Sequence, residues 1–197
     1  MSNLYNRQRN MNINRDQSIC VVGCGGVGMN VAIKLAMAGV KNITVFDNDN
    51  IEEHNLNRLP VPYNCIGMNK AYVAKEMIKQ MRPGCDVTCY KSNFDEVLAD
   101  YTDWLVDCTD SFKTQKMLQS FCDESNIKYC KLGYDGERMS IHNKVASWDI
   151  DENDDSGYTV TPSWAVPSSI VADLGVAKVL KYNKSELGIE LKNLYIN

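Results

Sequence analysis

The feature that most constrains this chain is a glycine-rich turn between two strand-like segments. The turn Gly23–Gly28 follows the apolar run 18–22 and opens a helical pattern that reaches position 38. A second apolar run then ends at Asp47, 19 residues beyond Gly28. Strand, glycine turn, helix, strand and acid in this order are the layout of a dinucleotide-binding βαβ unit. The sequence therefore predicts a nucleotide-binding protein.

The residues of this unit have separate physical tasks. Gly23 permits the tight turn, Gly25 lets backbone N–H groups approach a phosphate, and Gly28 lets the helix pack close to the strand. The helix N-terminus adds free N–H donors and a partial positive charge for an anion. Asp47 is placed to accept hydrogen bonds from ribose hydroxyls. A glycine turn alone does not distinguish among nucleotides, so the residues that follow it decide the prediction.

Three charged residues further along the chain favour a triphosphate. Arg58 follows the second strand, and an arginine there suits phosphate oxygens, whereas a hydride-transfer enzyme has no need of it. Lys70 opens a helix just after Gly67, so its ammonium is expected near the same phosphates. Asp110 follows the fourth predicted strand, at the edge of an open α/β sheet where ligands bind, and its carboxylate suits Mg²⁺.

Periodicity predicts an α/β fold of the Rossmann-like ATP-binding class, with a parallel half followed by a mixed or antiparallel half and helices on both faces. The pattern after the fifth strand changes to one longer strand or hairpin arm at 139–148, and a last edge strand is expected at 191–196. Residues 1–15 are expected to form a polar arm without structure of its own, and 16–197 a single domain with an acidic loop at about 149–163. The other strands are predicted at 18–23, 42–47, 86–91, 104–108 and 128–132, and the helices at 27–38, 68–81, 94–101, 112–125 and 167–182.

Composition restricts the classes of function. The formal net charge is −4, with Lys and Arg spread along the chain, so nothing suggests a nucleic-acid or membrane-surface partner. The longest apolar runs have strand length, and residues 1–15 contain no apolar signal-peptide core. These features predict a cytoplasmic protein.

Eight cysteines occur without any Cys-x-x-Cys pair. This spacing argues against structural zinc, and reduced thiols in the core are the ordinary interpretation of most of them. No cysteine follows Cys130, which argues against a covalent thioester intermediate.

Several motifs, taken in order, resemble the ubiquitin-activating superfamily of the ThiF/MoeB/HesA type. The resemblance covers roughly residues 4–148 and resumes in 167–182. The matching segments are Tyr5–Gln8, Gly23–Gly28, Asp47–Asp49, Asn55–Arg58, Lys70 after Gly67, and Cys108–Ser111.

The resemblance implies ATP- and Mg²⁺-dependent adenylation of the C-terminal carboxylate of a ubiquitin-like or sulfur-carrier protein. It further implies a homodimer in which Arg7 reaches the γ-phosphate of the other subunit's ATP. Arg58 and Lys70 would bind phosphates, Asp47 the ribose and Asp110 the magnesium. The candidate catalytic residues are Arg7, Arg58, Lys70 and Asp110, and the candidate nucleotide-binding residues are Gly23, Gly25, Gly26, Gly28, Asp47, Asp49, Asn55, Arg58 and Lys70.

Alternatives remain open at this point. An NAD-dependent oxidoreductase uses the same glycine turn, but it predicts a substrate region for which little chain is left. A non-catalytic activating-enzyme-like subunit that binds a ubiquitin-like protein predicts a missing phosphate ligand, and none is missing. Within the same fold, adenylation of a small molecule or of a tRNA-base carbonyl is a further alternative, although no basic patch favours tRNA.

Overall fold

The described part of the chain contains seven strands and four α-helices. The computed structural model describes residues 3–99, 101–145, 162–182 and 187–190. The strands are β1 (Ser18–Val22), β2 (Asn42–Phe46), β3 (Asp86–Tyr90), β4 (Trp104–Asp107), β5 (Lys128–Asp135), β6 (Arg138–His142) and β7 (Leu187–Glu190), and the helices are α1 (Gly26–Ala38), α2 (Lys70–Met81), α3 (Phe112–Ser125) and α4 (Ala165–Leu180).

All seven strands belong to one sheet in the order β3-β2-β1-β4-β5-β6-β7. The first five are parallel, while β6 and β7 run antiparallel to their neighbours. The predicted fold class, a parallel half followed by a mixed half, is confirmed. The chain builds outward from β1 through β2 to β3, then returns to the other side of β1 with β4. The carboxyl ends of β1 and β4 therefore form the topological switch point at which open α/β sheets bind ligands.

Helices cover both faces of the sheet, as predicted. Alternate residues of β1 point to opposite faces, so Ile19 and Val21 contact one hydrophobic cluster and Cys20 and Val22 another. The first cluster packs α1, α2 and α4 against the sheet, and the second packs α3 against it. The carboxyl ends of the strands lie between the two layers of helices.

Several predicted elements differ from the observed ones in extent. Helix α2 begins at Lys70, two residues later than predicted, because Asn69 caps it by accepting the Tyr72 N–H. Where a helix was predicted at 94–101, the described residues form a short 3₁₀ turn, Glu96–Ala99. The last described strand, β7, lies at one edge of the sheet. The predicted strand at 191–196 lies outside the described residues, as does nearly all of the acidic loop at 149–163.

The expectation that the N-terminal arm has no structure is wrong for residues 3–8. These residues form a 3₁₀ turn. Tyr5 anchors it, because its ring lies next to Gly39, its hydroxyl donates to the Ala36 carbonyl at 3.5 Å, and the Arg15 guanidinium lies over the ring at 5.2 Å from its centre. A single aromatic side chain thus fixes a polar segment against the end of α1.

The described helices are short, and α4 with 16 residues is the longest. Within the described ranges, no helix has both the length and the apolar character needed to cross a membrane.

Candidate nucleotide-binding site

The glycine turn after β1 is built so that only glycine fits at two positions. Gly23 has a φ of +85°, which favours glycine, and it donates its N–H to the Phe46 carbonyl at 2.9 Å. A methyl group at Gly28 would lie 1.7 Å from the Gly23 carbonyl oxygen. A methyl group at Gly25 would meet no atom within 4 Å, so this side of the turn is open.

The N-terminus of α1 begins at the open side of the turn. Gly25 is the N-cap and offers no side-chain acceptor to the amides of the first turn. Helix N-termini without such a cap leave N–H groups for an external acceptor and carry a partial positive charge. The arrangement suits an anion such as a phosphate.

Asp47, at the end of β2, is held by backbone amides. Its Oδ2 accepts the Cys24 N–H at 2.6 Å and its Oδ1 accepts the Asp49 N–H at 2.8 Å. Burial raises the pKa of this carboxyl above the ordinary aspartate value, although the two amide hydrogen bonds favour the charged form. The carboxylate thus ties the glycine turn to the end of β2, beside the position where a ribose is predicted.

Arg58 lies directly over the glycine turn. A methyl group at Gly26 would come within 3.0 Å of Cγ of Arg58, so the arginine stem covers this glycine. Its Nη1 donates to the His54 carbonyl at 3.1 Å and to Oδ1 of Asn57 at 2.9 Å. These bonds hold a guanidinium next to the N-terminus of α1.

Asn55 supports Arg58 from within the preceding turn. It is buried, its Oδ1 accepts the Glu52 N–H at 3.1 Å, and the Glu52 side chain accepts the Asn55 N–H in return. The Asn55 carbonyl then accepts the Arg58 N–H at 3.0 Å. The structure thus gives this predicted nucleotide-binding residue a local role in shaping the turn that carries the arginine.

Lys70 is paired with a carboxylate of the same site. Its Nζ lies 2.8 Å from Oδ2 of Asp49, and its side chain is 12% exposed. Backbone bonds hold the two segments together, since the Lys70 N–H donates to the Asp49 carbonyl at 2.9 Å. Asp49 therefore positions Lys70, and the ammonium is fixed at the start of α2 beside Asp47.

A buried polar network lies under the loop that carries Asp110, and sequence reasoning missed it. Asp107, fully buried at the end of β4, accepts the N–H and hydroxyl of Thr109 on Oδ1 at 2.8 Å each and the Tyr129 hydroxyl on Oδ2 at 2.5 Å. Lys131 donates to the Thr109 carbonyl and lies 3.6 Å from Oδ1 of Asp107. Burial and the adjacent Asp107 raise the pKa of Tyr129 well above its usual range, which keeps it a donor. The sequence signal that could have revealed this network was an aspartate at the end of one predicted strand followed by a lysine in the next predicted strand.

Asp110 follows Thr109 directly and is exposed. The loop adjoins the glycine turn, because a methyl group at Gly23 would lie 3.0 Å from the Cys108 carbonyl oxygen. Among the described residues there is no group of three or more His, Cys, Asp or Glu side chains that could hold a metal. One free-standing carboxylate still fits Mg²⁺, which is usually held by one or two carboxylates together with substrate phosphates.

Arg7 is the one predicted site residue that the described chain keeps apart from the others. It lies in the 3₁₀ turn anchored by Tyr5 at the C-terminal end of α1, whereas Gly25 caps the N-terminal end. A helix of 13 residues is about 20 Å long, which exceeds the reach of an arginine side chain. Arg7 therefore does not reach the glycine turn of its own chain.

The thiols near the site are poor nucleophiles. Cys24 is fully buried in the glycine turn, and burial together with Asp47 raises the pKa of its thiol well above the ordinary value. Burial likewise raises the pKa of Cys130 to about 12. Such thiols stay protonated at neutral pH, and the thiolate is the reactive form.

The parallel sheet, the glycine turn at its switch point and the acid after β2 define a nucleotide-binding protein of the Rossmann-like class. Residues 5–181 match the family model described as the ThiF family, which is most of the chain. The chain therefore belongs to the ThiF family, and the resemblance seen in its motifs is confirmed.

Known relatives share parts of the chain. It is 36% identical over 118 residues to a probable molybdopterin-synthase adenylyltransferase of Porphyra purpurea, covering 57% of this chain and 31% of that protein. It is 34% identical over 125 residues to a tRNA threonylcarbamoyladenosine dehydratase of Haemophilus influenzae, covering 60% of this chain and 48% of the relative. The chain thus spans less than half the length of either curated relative.

A solved structure shares the fold over nearly the whole chain. The crystal structure of E. coli MccB with AMPCPP and selenomethionyl MccA superposes with a TM-score of 0.81 at 20% identity, covering 96% of this chain and 68% of MccB. At this identity the likeness supports the fold.

Proposed function

We propose that this protein is an ATP- and Mg²⁺-dependent adenylyltransferase that activates the C-terminal carboxylate of a ubiquitin-like or sulfur-carrier protein. The observation that carries the proposal is the position of Arg58, whose stem covers Gly26 at the N-terminus of α1. A guanidinium beside a helix N-terminus supplies more positive charge than the pyrophosphate of a dinucleotide needs. This arrangement therefore favours the triphosphate of ATP. The family of the relatives gives the oxidoreductase alternative no support.

The reaction needs positioning and charge neutralisation more than a covalent catalyst. The substrate carboxylate oxygen attacks the α-phosphorus, the bond to the bridging oxygen breaks, and pyrophosphate leaves. Arg58, Lys70 and the first amides of α1 would neutralise charge on the phosphates, while Asp47 accepts from the ribose. Asp110 would hold Mg²⁺, which adds positive charge beside the phosphates. The attacking carboxylate is already ionised, so no general base is required.

Lys70 begins in an ion pair with Asp49, and nucleotide binding would change its partners. The Nζ to Oδ2 distance is 2.8 Å, and Asp49 is 61% exposed while Lys70 is mostly covered. An incoming phosphate would share the ammonium with Asp49 and replace some of its water. The carboxylate thus holds the lysine in place until a phosphate arrives.

The direct experiment is ATP–pyrophosphate exchange with candidate carrier proteins from the same genome. We expect exchange that requires Mg²⁺ and a free carrier C-terminus, and no exchange with a carrier whose last residue has been removed. Absence of exchange with every carrier, together with tighter binding of NAD than of MgATP in calorimetry, would contradict the proposal.

The family model covers residues 5–181, and this extent supports the further proposal of a single adenylation domain from 16 to 197.

We also propose that the protein works as a homodimer in which Arg7 serves the neighbouring site. The support is its place at the far end of α1 from its own glycine turn. A closed two-fold dimer would let both sites gain an arm together. Mixing an Arg7→Ala subunit with an Asp110→Ala subunit tests this, because one intact pocket per mixed dimer regains an arginine. If mixed dimers form and no activity returns, Arg7 does not act in trans.

A tRNA base is the second candidate substrate, because the Haemophilus influenzae relative is named a tRNA threonylcarbamoyladenosine dehydratase. The formal net charge of −4 disfavours it, since tRNA binding needs compensating positive charge. Adding total tRNA to the ATP–pyrophosphate assay, with carrier protein omitted, separates the two substrates.

A further inference from the structure

The backbone of Thr109 is fixed from three sides. Its N–H and hydroxyl both donate to Oδ1 of Asp107 at 2.8 Å. Its carbonyl accepts from Lys131 on β5 and from Nε2 of Gln115 on α3, the latter at 3.1 Å. Every polar group of Thr109 is therefore engaged, and β4, β5 and α3 all contribute to holding the residue that precedes Asp110.

The network contains two charges that are nearly removed from water. The side chain of Asp107 is fully buried and that of Lys131 is 12% exposed. The two residues are direct neighbours in the parallel register of β4 and β5. Buried ion pairs contribute little net stability compared with apolar residues of similar size, so stability alone is a weak reason for this pair. What the pair does provide is a defined position for the Thr109 carbonyl.

We propose that Lys131 and Gln115 are positioning residues that set the direction of the Asp110 carboxylate toward the nucleotide site. The proposal rests on the proposed function, in which Asp110 holds the magnesium of MgATP. The two donors act through the Thr109 carbonyl and need no contact with the nucleotide. A carboxylate on an exposed residue keeps one direction only if the backbone before it is fixed, and here two side chains from different elements fix it.

The matching experiment compares ATP binding with and without magnesium. Calorimetry gives the dissociation constant of ATP in EDTA and in excess Mg²⁺, and the first constant divided by the second measures how much binding depends on the metal. The Asp110→Ala variant defines the ratio without the carboxylate. We expect Lys131→Met to lower the ratio at least about fivefold toward that of Asp110→Ala, with metal-free ATP binding changed less than about twofold.

A matched control comes from the same strand. Lys128→Met removes a lysine from the exposed start of β5, and it should leave the ratio unchanged. A purely structural role of Lys131 would lower the melting temperature and leave the ratio at the wild-type value, which would overturn the proposal. If Lys131→Met does not fold, Gln115→Leu decides, since it removes the second donor to the same carbonyl without removing a charge. An unchanged ratio in that variant also overturns the proposal.

The outcomes separate this proposal from the function on which it rests. If wild type binds no ATP under either condition, the proposed function is wrong and this inference fails with it. If wild type shows a strong magnesium dependence that Asp110→Ala abolishes, while Lys131→Met and Gln115→Leu retain it, the function stands and the positioning role is wrong.

Discussion

Replacing Gly28 by alanine should damage the fold through one identifiable contact. The new methyl group would lie 1.7 Å from the Gly23 carbonyl oxygen, and Cβ atoms essentially never approach another atom within 3.0 Å. The turn must therefore move by more than about 1.3 Å relative to α1. Two hydrogen bonds fasten the turn where it is, from Gly23 to the Phe46 carbonyl at 2.9 Å and from Cys24 to Asp47 at 2.6 Å.

The expected magnitude follows from these contacts. Overpacking costs about 2 kcal/mol, and straining one neutral and one carboxylate hydrogen bond costs about 3 kcal/mol more. Alanine recovers about 1 kcal/mol through its better helix propensity. We expect a net loss of about 4 kcal/mol in the free energy of unfolding, which lowers the melting temperature by roughly 8–16 °C for a chain of this length.

Urea denaturation followed by circular dichroism measures the loss, and Gly25→Ala is the matched control. A methyl group at Gly25 meets nothing within 4 Å, so that variant should unfold within about 1 kcal/mol of wild type. Its methyl group projects into the open side of the turn, so it should weaken ATP binding while the fold is kept. A Gly28→Ala protein as stable as wild type would refute the steric reasoning, and a Gly25→Ala protein that binds ATP normally would place the phosphates elsewhere.

Three further predictions concern charge and thiol chemistry. Arg58→Ala should weaken ATP binding by about 1.5–3 kcal/mol in calorimetry with little change in melting temperature, because a charge-assisted contact is lost from a half-buried side chain; equal affinity would exclude it as a phosphate ligand. Burial raises the pKa of Asp47 in the native state, so between the ordinary aspartate pKa and this raised pKa the native protein holds a proton on Asp47 that the unfolded chain has lost. The contribution of Asp47 to the free energy of unfolding therefore falls as pH rises through this range. ATP binding should weaken as pH falls through the same window, and Asp47→Asn should remove this dependence in a calorimetric pH series. Iodoacetamide should label the partly exposed Cys65 in the native protein and reach Cys24 and Cys122 only after unfolding, as peptide mass spectrometry would show; rapid native labelling of Cys24 would contradict its burial.

Much of the fold could be predicted because its signals are local. Helix α3 occupies Phe112–Ser125 as expected, since Ser111 caps its start and Asn126, with a φ of +56°, ends it. The βαβ unit follows from glycine spacing and from the change of apolar period between strand and helix. The arm and the short turn at 96–99 were less predictable, because a single Tyr5 contact or a few apolar residues decide them.

The sequence by itself determined the nucleotide-binding unit, the five strands of the parallel half with the helices α1, α2, α3 and α4, and the charged residues expected around a triphosphate. Only the tertiary structure decided which polar groups meet: Asp49 pairs with Lys70, and Lys131 reaches Thr109. It also decided that Arg7 lies at the far end of α1 from the turn that Arg58 covers. The physical reason is that periodicity and capping act over a few neighbouring residues, whereas these contacts depend on which strands are adjacent and in what register they pair.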